Sequence, residues 1–553
     1  MSSADSSPST HGASKAPSPS DNDDKYADAE KNFNVRSPKF WIIIIGIYVS
    51  IFLVALDRMI IATAIPSITD EFHSIEDIGW YGSAYMLTGA IFNPLFGRIY
   101  QLYTTKSVFL LSVVIFEAGS ALCGAAPSST SFIVGRAIAG IGAAGIFCGS
   151  MIIVISLVPL RRRPMFNSVF GMAFGVSSVL GPLIGGAFSD DAKLTWRWCF
   201  YINLPVGGFT IMAMLLFLHL ESPPREQLSL LNQLKRLDPL GLFFFIPSMI
   251  CLILALQWGG STYPWSAPQI IGLLVTFAIT FVMFLVVEVL MPETAMAPTR
   301  VVLNRSVGGS MLLMLLLAGG MMSVTYYLAT WFQAVQGKSA TEAGIRTIPM
   351  VTSFVVFAIP VAIFIQKVGY YVPAMLLSPI LCAVGSGLLS TLTPSAGASH
   401  WIGYQVLYGL GIGAGFQTST LASQNVLSRA DVPLGMALMF FMQQLGGSIF
   451  LSVGQNIFSS KLVDNLAGVA GLDPKIIINT GATALRGIVP PSELGTVINA
   501  YSYALTRVFI LAAALSACTI LGALMVEWKS IKSKKSETSE TAKAGSGETK
   551  SVA

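Results

Sequence analysis

Fourteen apolar stretches of about 20 residues recur along a chain of 553, and this repetition constrains the fold more than any single motif. A helix of that length, rising about 1.5 Å per residue, matches the hydrocarbon thickness of a bilayer. The stretches fall near 41–64, 78–97, 107–126, 131–158, 165–188, 199–220, 239–258, 269–290, 306–335, 347–366, 373–393, 401–425, 434–458 and 501–527. Charged residues make up 11% of the chain and hydrophobic residues 53%, against about 25% charged in soluble domains. The expectation is an all-α integral membrane protein with 14 transmembrane helices.

Residues 1–40, rich in Ser, Pro, Asp and Lys, read as a disordered tail and not as a cleavable signal peptide. Residues 528–553 form a second polar tail. The six cysteines lie in or beside apolar runs, with no CxxC pair and no Cys/His cluster of metal spacing. They read as small apolar residues, so neither a metal nor another cofactor is expected. The net charge of +5 gives no sign of a nucleic-acid partner.

Basic residues are informative by position. With an even number of spans both tails share one side, and the segments on that side hold 23 Lys and Arg. The opposite side and its approaches hold 8, and Arg58 and Arg136 fall inside spans. The positive-inside rule then places both termini in the cytoplasm. The first outer loop carries Asp70, Glu71, Glu76 and Asp77 and no base, in the same sense.

An internal repeat links distant spans. "RAIAGIGAAG" from 136 aligns with "QVLYGLGIGA" from 405, placing Gly140 over Gly409 and Gly142 over Gly411. "GMAFGVSSVLG" from 171 aligns with "GMALMFFMQQLG" from 435 at both ends. The two near-equal offsets report one duplication relating spans 4 and 5 to spans 12 and 13, in parallel orientation. The expected plan is a six-helix bundle over 41–220, a linker with two extra membrane helices over 221–305, and a six-helix bundle over 306–527.

Local motifs add to this plan. They are "VALDRMIIATAIP" (54–66), "GRAIAGIGAAG" (135–145), "GPLIGG" (181–186), "WRWCFYINLPVGG" (196–208) and "YYLATWFQAVQGKSA" (326–340). Together with the plan they resemble the major facilitator superfamily, in its fourteen-span drug:proton antiporter branch, and fungal multidrug and toxin-efflux members of it. The resemblance covers about residues 40–528. It implies a proton-coupled secondary transporter, not an enzyme, that exports small hydrophobic compounds such as toxins, drugs or secondary metabolites. The implied location is the plasma membrane, with a vacuolar or vesicle membrane as alternative. One departure stands out. The family's loop between spans 2 and 3 reads roughly G-x-L-x-D-R-x-G-R-K, whereas "GRIYQLYTTK" (97–106) has Gln101 for the acid and Leu102 for the first arginine. The charge relay of that loop is therefore not carried over.

Asp57 and Arg136 are costly in hydrocarbon unless each meets a partner or a wet cavity. Helix rise places them at similar depth, if span 1 ends near Ala64 and span 4 starts near Ser131. Their apposition admits two readings, a static brace between two helices or a titrating carboxylate whose partner changes with conformation. The resemblance implies the second, with Asp57 carrying the proton and Arg136 modulating it. Arg58, about 100° around the helix, is expected to reach outward or to pair with loop acids. In "GPLIGG", Pro182 is expected to kink span 5, while Gly181, Gly185 and Gly186 allow close helix approach. Glu117, near the middle of span 3, reads as a structural hydrogen-bonding group, with a second proton site as the alternative. Tyr327, Trp331, Gln405 and Tyr408 are the expected substrate contacts, by analogy with the fold. Aromatics and amides suit a large apolar cargo.

"GKS" at 337–339 lacks the upstream glycine of a phosphate loop, since Phe332 stands there, and ATP is not an expected partner. The energy must then come from a gradient. One proton moving down 100 mV and one pH unit releases roughly 3.7 kcal/mol, enough for a several-hundredfold gradient of neutral cargo. An importer of the same fold, such as a siderophore-iron carrier, and a non-transporting membrane sensor are the alternatives.

Overall fold

The computed structural model describes residues 33–73, 77–190, 193–220, 230–260, 263–466 and 489–532. Of the expected tails, residues 1–32 and 533–553 lie outside the described residues. The elements are helices: α1 Pro38–Phe72, α2 Ile78–Leu102, α3 Thr105–Gly124, α4 Ser129–Leu157, α5 Arg163–Asp190, α6 Asn203–Phe217, α7 Pro239–Trp258, α8 Pro268–Leu290, α9 Arg305–Ala334, α10 Ala340–Val368, α11 Val372–Leu389, α12 Ala398–Val426, α13 Val432–Leu466 and α14 Leu494–Met525. A short helical turn, Trp198–Tyr201, leads into α6. Among the described residues there is no strand, only a single bridge between Gly259 and Tyr263. Among the described residues, eleven helical segments are long and apolar enough to cross a membrane. α2, α5 and α12 are not among them. α12 carries Gln405, Gln417, Gln424 and Asn425, which its largely buried setting among other helices accommodates.

Two helices run well past the C-terminal ends of their apolar stretches. α1 continues through Pro66 to Phe72 and closes at His73, whose left-handed conformation (φ 50°) lets its N–H donate to the Thr69 carbonyl. α13 runs to Leu466, beyond the expected end at 458. Hydropathy reports where lipid stops; a helix continues into water while its own hydrogen bonds hold. The "GKS" string has a local role. Gly337 takes φ +65°, and the Ser339 hydroxyl accepts from the Glu342 N–H to cap α10.

Glycine contacts set the helix packing. α4 lies against α2 through Gly140, where a Cβ would strike the Tyr85 carbonyl, and against α3 through Gly142, where it would lie 2.6 Å from the Phe116 Cα. α12 repeats both contacts. A Cβ at Gly409 would strike Met350 on α10, and one at Gly411 would lie 2.6 Å from the Cys382 nitrogen on α11. α1 packs on α5 as α9 packs on α13. Gly142→Ala is expected to lower stability by about 1–3 kcal/mol, because backbone must yield. Melting of the protein in detergent checks this, with Gly82→Ala as control, since a Cβ at Gly82 meets nothing within 4 Å.

The first six and last six helices meet along two seams, α2 with α13 and α5 with α10. The face near the described chain ends is marked by Phe33 against Phe166 (6.4 Å) and by the Ile531 N–H donating to the Gly369 carbonyl (2.8 Å). Near that face Gln101 Nε2 donates to the Ala430 carbonyl (2.9 Å) and Arg161 Nε to the Gln366 carbonyl (3.4 Å). A Cβ at Gly97 would lie 3.3 Å from Leu434 Cα, and Phe147 meets Phe440 edge-on at 4.2 Å. Gln101, standing where the family has an acid, thus still bridges the two sets of helices, as a neutral amide also bonded to Arg98 Nη1 (2.5 Å). The α7–α8 pair packs on α2 and α13, with Phe245 and Phe284 in a cluster with Ile91 and Phe441.

Candidate functional site

Four helices bring their polar residues to one dry point. Asp57 on α1 and Arg136 on α4 are 0% and 1% exposed, with Nη1 donating to Oδ2 at 2.6 Å. The expected apposition is present, although α1 extends about 22 Å beyond Asp57, much farther than its apolar run suggests. The guanidinium is held on its other edge, where Nε donates to the Tyr81 carbonyl (3.0 Å), and its carbon lies 4.5 Å from the Tyr85 ring centre. Asn203, at the start of α6, donates through Nδ2 to Asp57 Oδ1 (3.2 Å) and to Ser120 Oγ on α3 (3.1 Å). Asn203 lies within "WRWCFYINLPVGG" and was not singled out from the sequence. An amide in an apolar run, four residues before the Gly207-Gly208 pair, was its only signal. Charges this deep are stabilised only when both partners and their remaining polar atoms are satisfied.

Glu117, one helical turn before Ser120 on α3, was read as a structural hydrogen-bonding group. Neither of its carboxyl oxygens has a hydrogen-bond partner, and a Cβ at Gly207 on α6 would overlap it. It is an orphaned acid close to the Asp57 cluster, not a satisfied brace.

Gly181 and Gly185 of "GPLIGG" press α5 on α1, one turn from Asp57. A Cβ at Gly181 would lie 2.7 Å from Met59 Cβ, and one at Gly185 would lie 2.8 Å from the Ile60 carbonyl and overlap Thr63 Oγ1. One at Gly186 would meet nothing within 4 Å. α5 is continuous helix through position 182.

Arg58 does not reach outward to loop acids. Its Nη1 donates across the molecule to Gln444 Oε1 on α13 (3.2 Å). Two adjoining spaces of about 50 and 40 Å³ lie between the two sets of helices, and both are lined by Arg58, Gln443 and Gln444. The first adds Tyr85, Asn93 and the aromatic rings of Phe147, Phe174 and Phe440; the second adds Met321, Met322 and Phe416.

The expected substrate contacts lie elsewhere. Tyr327, Trp331, Gln405 and Tyr408 are at most 2% exposed and line neither space. Trp331 Nε1 donates to Ser502 Oγ (3.2 Å), Tyr327 OH to Gln455 Oε1 (3.1 Å), and Gln405 Nε2 to the Arg346 carbonyl (2.9 Å). In this conformation these three join α9 and α12 to their neighbours, while the buried Tyr408 hydroxyl has no hydrogen-bond partner. Among the described residues no group of His, Cys, Asp and Glu is arranged to hold a metal.

Comparison with known proteins gives a consistent likeness. The signature of the Major Facilitator Superfamily matches residues 47–451. The chain is 46% identical over 516 residues to the "MFS-type efflux pump MFS1" of Arthroderma benhamiae, covering 92% of this chain and 95% of that one. It is 44% identical over 507 residues to the "Efflux pump aflT" of Aspergillus parasiticus, covering 91% and 98%. Among solved structures it resembles the proton:xylose symporter XylE, with a TM-score of 0.53 at 17% identity over 89% of this chain and 97% of that one. That last likeness shows the fold alone.

Proposed function

Since the chain belongs to the Major Facilitator Superfamily, whose signature spans residues 47–451, we propose that it is a proton-coupled exporter of small hydrophobic organic compounds. In this reading two six-helix bundles, 41–220 and 306–527, rock about the central cavity, with α7 and α8 as an added membrane pair. Relatives named efflux pumps, 46% and 44% identical, support export over import. The observation that carries proton coupling is the buried Asp57–Arg136 pair beside the cavity wall, where Tyr85 touches both the arginine and the cavity. Asp57 takes a proton when it parts from Arg136 and gives it up when they meet again; Asn203 holds the carboxylate while it is paired with Arg136. Gly181 and Gly185, within the motif Gly181, Pro182, Gly185 and Gly186, keep α5 tight on α1, so that the proton path stays dry while the bundles move. The named contacts between bundles run from mid-depth to the face near the chain ends, which fits a conformation sealed on that face.

Inside-out plasma-membrane vesicles test this. An acidic lumen is expected to drive accumulation of a fluorescent apolar dye, a protonophore to abolish it, and ATP to add nothing. Dye accumulation driven by the opposite proton gradient favours the importer, and no gradient-linked movement favours the sensor.

The orientation proposal, with both termini cytoplasmic, rests on the 23-to-8 distribution of basic residues. An N-glycosylation acceptor inserted near Gly471 is expected to be modified in cells, and one placed within 221–238 is not. The reverse pattern inverts the molecule.

A further inference from the structure

Arg58 is the charged residue in the lining of both central spaces, and no carboxylate faces it there. Its helix neighbour Asp57 is committed to Arg136 and Asn203, on another side of α1. What Arg58 has across the cavity is the neutral amide of Gln444. A guanidinium in a low-dielectric space is costly without an anion, and its planar fork suits an oxyanion. Nearby, Asn93 is 5% exposed and its Oδ1 has no hydrogen-bond partner. The rest of the first space is aromatic.

We propose that the central cavity binds organic acids, holding an anionic oxygen of the cargo at Arg58 and its apolar, aromatic body against Phe147, Phe174 and Phe440. A hydroxyl on that body would donate to Asn93, and the Gln443 and Gln444 amides supply donors beside the anion. The cargo displaces the Arg58–Gln444 bond that holds α1 to α13, so loading the site also releases a contact between the two sets of helices. That the bound acid is cargo rests on the efflux reading; that it binds at Arg58 does not.

The test uses full-length protein in lipid nanodiscs, equilibrium dialysis, and two probes of one shape: 3-hydroxy-2-naphthoate and its methyl ester. The carboxylate is expected to bind about tenfold or more tightly than the ester, a difference that one added charge-assisted contact supports. Arg58→Gln is expected to bring the ratio of the two affinities near one. Arg58→Lys keeps the charge but lacks the fork, so it is expected to lower the ratio several-fold, and it decides the matter where Arg58→Gln does not fold. A wild-type ratio near one, no binding of either probe, or a ratio unchanged in the folded variants overturns the proposal. Vesicle uptake separates the two ideas. Gradient-driven uptake of apolar dye without a charge preference leaves export standing and removes the acid site. A charge preference in binding without gradient-driven uptake of any probe does the reverse.

Discussion

With asparagine at position 57, the accumulation ratio is expected to fall from the several hundredfold that roughly 3.7 kcal/mol per proton permits to about one. The amide keeps the size of the carboxylate and can still pair with Asn203, but it has no proton to exchange. Downhill exchange of cargo should survive. A purely bracing Asp57 gives another outcome. Arg136 would then be left buried without a counter-ion, at a cost of roughly 3–5 kcal/mol, and the protein should be scarce at the membrane. The variant Asp57→Asn/Arg136→Gln removes both charges and decides between them. Bracing predicts recovered pH-driven efflux per molecule at the surface; coupling predicts none.

Gly185→Leu is expected to have the next largest effect. A Cβ at that position already crowds the Ile60 carbonyl at 2.8 Å and Ile60 Cγ1 at 2.9 Å, so a leucine must drive α5 from α1. Overpacking of this kind costs about 1–3 kcal/mol or more where backbone is the obstacle. Export should be lost, and surviving protein should leak protons into dye-loaded vesicles without moving cargo. Gly186→Ala, placed where a Cβ meets nothing within 4 Å, should export normally. Normal export by Gly185→Leu would reduce "GPLIGG" to ordinary packing.

The helices were legible because lipid demands long apolar runs, and the Asp57–Arg136 pair because two costly charges need each other. Even so, the depth estimate for Asp57 used the wrong end of α1. Asp70 and Glu71 end the apolar run yet sit comfortably on a helix in water. Arg58 was misplaced for a different reason. A helical wheel gives its angle from Asp57 but not which helix stands there, and its partner lies 386 residues away. The signal was present on the partner's side: "QQ" in the run "GMALMFFMQQLG" is a pair of amides that hydrocarbon would not tolerate without an address. Tyr327, Trp331, Gln405 and Tyr408 misled in the converse way. A polar group in a membrane helix can be satisfied by a neighbouring helix as well as by cargo, and residue type does not tell the two apart.

The α7–α8 pair makes the two seams unequal. It lies on α2 and α13, and at the far end of this hairpin Trp258 meets Trp80 of α2 (6.4 Å) while Trp265 donates to Asn456 of α13 (2.6 Å). Among the described residues no such pair covers α5 and α10, where Val176 and Val356 remain 44% and 59% exposed. A bilayer around the molecule therefore touches one seam directly and meets the other through two intervening helices. Under the efflux reading proposed above, cargo arriving from the leaflet would meet one uncovered seam in place of two.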